Sequence, residues 1–171
     1  MSEFEQLINK MEKIGGIPAE MLMPCVARQI GKVSDAAKLL CPGHSGELRQ
    51  SIKTRTEAVE DGVRGTCYTT KEYAAYVEFG TGPNGQANHQ GISPAITPAY
   101  VQHGWMMPAN AMSREEAEAY GLGVVEKNGK VIGYLTNGQQ ARPFMYPALK
   151  DQEEDIVKAI GSEYGKRVKQ L

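Results

Sequence analysis

Two stretches decide the fold: Ser51-Ile52-Lys53-Thr54-Arg55-Thr56 and Gly62-Val63-Arg64-Gly65-Thr66-Cys67-Tyr68. Both read as extended runs, and Glu60-Asp61-Gly62 between them supplies a turn, so the pair predicts a β-hairpin. Immediately upstream the period is helical. Met21, Leu22, Cys25, Val26, Ile30, Val33, Ala37 and Leu40 form one apolar stripe, ending near Cys41 where Pro42-Gly43 stops the helix. Pro24 lies inside this pattern and either marks the true start or kinks the first turn. A long helix next to a hairpin predicts an α+β fold, with long helices packed on a small, mainly antiparallel sheet.

Further out, Phe4, Leu7, Ile8, Met11 and Ile14 recur at helical spacing until Gly15-Gly16, which predicts a short amphipathic helix. After the hairpin, Thr69 and Glu72 have capping-box spacing for a short helix whose apolar face is Tyr73, Tyr76 and Val77, with Gly80 as its stop. Residues 81–141 differ in character. Gly, Pro, Asn and Gln dominate up to Pro108, which reads as a long loop. Ser113 and Glu116 cap a small helix to Tyr120, and Asn128-Gly129 between apolar runs predicts a second hairpin. We read the stretch at about 82–140 as an arm inserted into a single domain spanning 1–171. From Leu149 onward, Ile156, Ile160, Tyr164, Val168 and Leu171 predict a long terminal helix with its stripe turned to the core.

The 171 residues suffice for one domain with its own core. Charge is balanced, 19 basic against 20 acidic side chains. The densest basic stretch, Lys166, Arg167 and Lys169, lies among acidic neighbours, so specific nucleic-acid binding is not expected. Cys25, Cys41 and Cys67 are odd in number and lack C-x-x-C spacing, which predicts reduced thiols packed as small apolar groups. Met1–Gln6 lacks an apolar h-region, so no signal peptide is expected, and no run approaches the roughly 20 apolar residues of a membrane span. The expectation is a soluble protein made inside a cell.

The chemical motifs are weak. Gly43-His44-Ser45-Gly46 suggests a nucleophile elbow, but Glu47 stands where the final glycine is required and a helix precedes it, so a turn is expected. His44, His89 and His103 have no partner at i+3 or i+4, unlike zinc ligands. The acidic run Asp151–Asp155 suits the first turn of a helix, where negative charge meets the macrodipole favourably. No cofactor loop or metal motif is present. Trp105, the single tryptophan, serves either as an interface anchor or as a cover for the core.

Three segments in order carry a resemblance: Pro42-Gly43-His44-Ser45-Gly46-Glu47-Leu48-Arg49-Gln50-Ser51-Ile52, then Tyr73-Ala74-Ala75-Tyr76-Val77-Glu78-Phe79-Gly80-Thr81, then Gln139-Gln140-Ala141-Arg142-Pro143-Phe144-Met145-Tyr146-Pro147-Ala148-Leu149. Their arrangement resembles the gene-product-ten-like tail-component family of tailed bacteriophages, virion proteins of the neck and tail-completion region. The stretch from Thr81 to Gln139 exceeds the family minimum. The resemblance implies a structural protein with no enzyme activity and no cofactor. It implies a head–tail joining or tail-completing ring subunit in the virion, in the host cytoplasm during assembly, with connector, head-closure or tail proteins as neighbours.

For the residues themselves, Leu48 and Ile52 should anchor the hairpin to the helices. Glu78 should be half-buried and in need of a partner, and Arg142 is expected to supply it, tying the ends of the insert across Gly80 and Thr81. Pro143 and Phe144 should set the entry to the terminal helix, with Phe144 and Tyr146 as core or interface anchors. The competing classes are a small hydrolase or nuclease, which needs His44 or His89 beside a carboxylate in a cleft, and a nucleic-acid binder, which needs salt-sensitive retention on DNA.

Overall fold

The structure, a computed structural model, describes residues 19–43, 46–60 and 62–169. The expected helix over Phe4–Ile14, together with His44, Ser45 and Leu171, lies outside them. The chain divides into two compact units, Met1–Lys71 with Phe144–Leu171, and Glu72–Pro143. Helices and two small antiparallel sheets make up the α+β architecture expected from the hairpin and its flanking helix. The single sheet of the sequence reading is replaced by two.

In the first unit, α1 runs over Ala19–Leu40, with Pro24 inside it. Cys25, Gln29, Val33 and Ala37, four residues apart, are buried along with Ser34. The hairpin forms where expected: β1 (Lys53–Val59) pairs with β2 (Gly62–Tyr68) from Lys53 opposite Tyr68 to Val59 opposite Gly62. α1 packs on both strands. Gly65 permits that approach, since a Cβ there would sit 2.9 Å from Val26 Cγ1 and 3.3 Å from Ile30 Cβ. A short helix, α2 (Glu47–Ser51), leads into β1, with Leu48 and Ile52 buried. The Ser51 hydroxyl donates to the Leu48 carbonyl at 2.7 Å and lies 2.6 Å from the Thr69 hydroxyl.

That pairing explains why Thr69 caps no helix. Its oxygen accepts the Lys71 N–H at 3.2 Å, and the next helix starts later, with Tyr73 as an N-cap that lacks a side-chain bond.

Near the C-terminus the single long helix expected from the sequence is two, α6 (Met145–Lys150) and α7 (Glu153–Val168). The helical bonds shorten at the junction, where Gln152 N–H donates to the Leu149 carbonyl, three residues back, at 3.1 Å. The Gln152 amide then bonds the Ala148 carbonyl at 3.0 Å and the Lys32 carbonyl of α1 at 3.3 Å. Local propensity did not reveal this tertiary anchor. The expected core stripe is also shallower than read. No residue of α7 is fully buried, Ile156, Ile160 and Val168 are half-buried, and Leu149 and Tyr164 are exposed. Glu153, Glu154 and Asp155 do occupy the first turn of α7, where negative charge is favourable.

The second unit contains α3 (Ala74–Phe79), α4 (Gly82–Ala87), β3 (Trp105–Pro108), α5 (Arg114–Ala119), β4 (Gly123–Lys127) and β5 (Lys130–Thr136). Its sheet is ordered β3-β5-β4, antiparallel throughout. Asn128 and Gly129 join β4 to β5 with φ of 52° and 71°. Two positive values in succession are what a type I′ turn requires, which accounts for the Asn-Gly signal. Tyr134 on β5 is buried, its hydroxyl donating to the Met112 carbonyl at 3.2 Å. The stretch read as a loop to Pro108 contains α4 and β3, whose partners are distant in sequence: Trp105 pairs with Thr136.

The expected capping box of α5 is present. The Ser113 hydroxyl accepts the Glu116 N–H at 3.2 Å, and the Glu116 carboxylate accepts the Ser113 N–H at 2.9 Å. Ser113→Ala should cost about 1 kcal/mol, read as faster amide exchange in α5. The Ser113 backbone N–H, with help from its hydroxyl, holds the Glu116 carboxyl below its usual range. A depressed folded-state value stabilises above the ordinary carboxylate range and is lost as pH falls through the folded value. Protection factors in α5, taken against the intrinsic exchange rate at each pH, should therefore fall on acidification, and protection that stays constant with pH would contradict the box.

Candidate interaction surface

The motif Tyr73–Thr81 builds one wall of a groove in the second unit. α3 follows the expected helical period, but its phase is rotated: Ala74 and Glu78 are buried, while Tyr73 and Tyr76 are exposed. The small Ala74 side chain turns inward, leaving the bulky phenols outside, so the expected core face is a surface. Gly80 ends the helix with φ 76° and ψ 178°, a region that is essentially glycine-only.

Gly80 and Thr81 then meet the returning chain. Thr81 N–H donates to the Gln139 carbonyl at 2.8 Å, and Gln139 N–H donates to the Thr81 hydroxyl at 3.1 Å. Asn84 binds the same segment, through its N–H to the Asn137 carbonyl at 3.0 Å and its side-chain amide to the Gly138 carbonyl at 3.0 Å. Arg142 reaches α3 through its backbone, donating its N–H to the Val77 carbonyl at 2.8 Å. The ends of the insert are thus joined by hydrogen bonds that each use at least one main-chain atom, which residue type does not reveal.

The opposite wall comes from the segment before β3. The Tyr100 hydroxyl donates to the Phe79 carbonyl at 2.8 Å, and burial pushes its pKa up, so it remains a protonated donor at neutral pH. His89 stacks on the Tyr100 ring, with centroids 5.8 Å apart and planes 14° from parallel, and its Nδ1 lies 3.2 Å from the Gly85 carbonyl. Between these walls lies a groove of about 640 Å³. Tyr76, Phe79, Tyr100, Val101 and Trp105 supply its apolar surface, with Gln139 as a polar contact. No charged side chain of the described residues lines it. Trp105 is half-buried and lines the groove.

The remaining predicted residues lie elsewhere. Leu48, Ile52 and Phe144 are buried in the first unit, Phe144 completely. Pro143 is half-buried, its Cγ close to Gly91 in the second unit. Sequence reasoning places Phe79 only as a member of the second motif and does not single out Tyr100, whose segment offers aromatic content without periodicity.

Neutral phenols, an indole and an amide offer dispersion and hydrogen bonds, and the groove lining includes no acid–base pair. Among the described residues no group of three or more His, Cys, Asp or Glu is placed to hold a metal ion. The thiols are shielded: Cys25 and Cys41 are buried and Cys67 is half-buried. Burial pushes the Cys41 and Cys67 thiols above their usual range, against weaker pulls from Arg49 on the former and from Ser34 and Lys38 on the latter. At neutral pH a thiol reagent should react slowly with the native chain and modify all three cysteines after unfolding. Rapid native labelling would contradict this assignment.

A concave, uncharged aromatic surface on a small α+β scaffold is of the kind that binds apolar side chains. Residues 5–80 match the family model described as Bacteriophage HK97-gp10, putative tail-component. The resemblance read from the motifs is therefore shown over this portion, which contains α1, the β1–β2 hairpin, α3 and Gly80, and the family it points to is one of phage tail components. The third motif, at 139–149, lies beyond the match. No curated protein and no solved structure matches the chain. No helix among the described residues is long and apolar enough to cross a membrane.

Proposed function

We propose that this chain is a structural virion protein of a tailed bacteriophage, which joins head to tail or completes the tail as a subunit of an oligomeric ring. The observation that carries the reading is the match of residues 5–80 to a phage tail-component family. The chemistry of the surface supports it, because the groove offers apolar contact without charge and α7 carries an incompletely buried apolar stripe. Surfaces of this kind are completed by other protein surfaces.

In this reading the protein has no catalytic role and needs no cofactor. Its neighbours are further copies of itself and the adjoining connector, head-closure or tail proteins, in the neck or tail of the virion, after a passage through the host cytoplasm during assembly. The insert and the first unit form one working subunit. Leu48 and Ile52 hold the hairpin, Glu78 sits on the buried side of α3, Gly80 and Thr81 close the insert, and Pro143 and Phe144 lead into α6. Head-to-tail contacts between identical subunits close into a ring when the rotation permits.

Deleting the gene should leave DNA-filled heads and finished tails unjoined in electron micrographs, or tails lacking their end structure. Normal infectious particles from the deletion strain would sink the proposal.

A further inference from the structure

The groove of the second unit and the apolar stripe at the start of the sequence are complementary in kind. Phe4, Leu7, Ile8 and Met11 stand at i, i+3, i+4 and i+7, the anchor pattern of an amphipathic helix laid into a hydrophobic groove. The groove presents Tyr76, Phe79, Tyr100, Val101 and Trp105 and no charge, so its chemistry suits aliphatic and aromatic anchors rather than an acidic or basic peptide. Tyr76 is 59% exposed and Val101 51% exposed, leaving apolar surface to be covered. Gly15-Gly16 follows the stripe and lacks side chains that would hold it to α1. A ring of identical subunits needs a knob on one face and a matching hole on another.

We infer that residues 4–14 of one copy dock as a helix in the Tyr76–Tyr100–Trp105 groove of the next copy. The inference rests on the ring reading and names its contact. Leu7 and Ile8 are the central anchors. Trp105 reports the contact, because it is the only tryptophan in the chain and lines the groove.

The test uses the full chain and a synthetic peptide of residues 1–18, which contains no tryptophan. Titrating the peptide into dilute protein should shift Trp105 emission to shorter wavelength and saturate. A Leu7→Asp/Ile8→Asp peptide should bind roughly a hundredfold more weakly, since two buried aliphatic contacts are lost. In the full chain, Leu7→Asp/Ile8→Asp and Tyr76→Glu should each remain monomeric by native mass. Mixed, they should form a dimer and nothing larger, because only one helix–groove pair remains.

An unresponsive Trp105 at saturating peptide overturns the inference if Leu7→Asp/Ile8→Asp also leaves the emission of dilute full chain unaltered. Emission moving to longer wavelength in that dilute variant also overturns it, by making the occupant the chain's own segment. Either result leaves the joining role standing, since the deletion experiment tests that separately.

Discussion

Replacing Phe144 with alanine should lower the free energy of unfolding by about 3–5 kcal/mol. Phe144 is the largest fully buried side chain among the described residues, with 0% exposure. Truncation removes its transfer free energy and leaves a void that a close-packed interior fills only in part. Small domains are stable by only about 5–15 kcal/mol, so the loss is a large share of the total. Denaturant titration would show a lower midpoint, and Phe144→Leu should fall between wild type and alanine. A midpoint for Phe144→Ala within about 0.5 kcal/mol of wild type, the range of ordinary surface substitutions, would show that the site is not a packed core.

Gly80→Ala should be comparably damaging for a different reason. A side chain at φ 76° and ψ 178° costs about 1–3 kcal/mol from backbone strain alone. The added Cβ would also lie 2.7 Å from the Ala141 nitrogen, 2.8 Å from the Gln139 oxygen and 2.8 Å from the Gly85 Cα. All three are main-chain atoms, so none can swing aside as a side chain could. Relief requires parting the strands of chain at the base of the insert, which breaks the Thr81–Gln139 bonds. Amide exchange at Thr81 and Arg142 should accelerate strongly, with the β1–β2 hairpin less affected. Unchanged protection at Thr81 would contradict the geometry.

The two substitutions also separate the chain's units. Phe144 belongs to the unit that holds α1 and the first hairpin, and Gly80 to the unit that carries the groove. If residues 4–14 dock in a neighbouring copy, Gly80→Ala should weaken binding of the 1–18 peptide by distorting the groove wall. Phe144→Ala, measured where the chain remains folded, should weaken it much less.

The amino-acid sequence by itself determined the elements whose cause is local. The 3.6-residue stripe of α1 ends at Pro42-Gly43, the two extended runs meet at a turn, Ser113 and Glu116 cap α5, and Asn128-Gly129 closes β4 on β5. In each case the residues that form the bond or adopt the dihedral lie within a few positions of one another. Tertiary structure alone decided the rest. Thr69 gave its oxygen to Ser51 and Lys71 instead of a helix end, and Gln152 broke the terminal helix by reaching the Lys32 carbonyl. α3 turned its phenols outward because the smaller Ala74 was the residue buried. Trp105 became a strand only by pairing with Thr136, thirty-one positions away, and the groove exists because Tyr100 bonds the Phe79 carbonyl. Most of these depend on a partner distant in sequence, and side-chain periodicity carries no information about which distant partner a residue will meet.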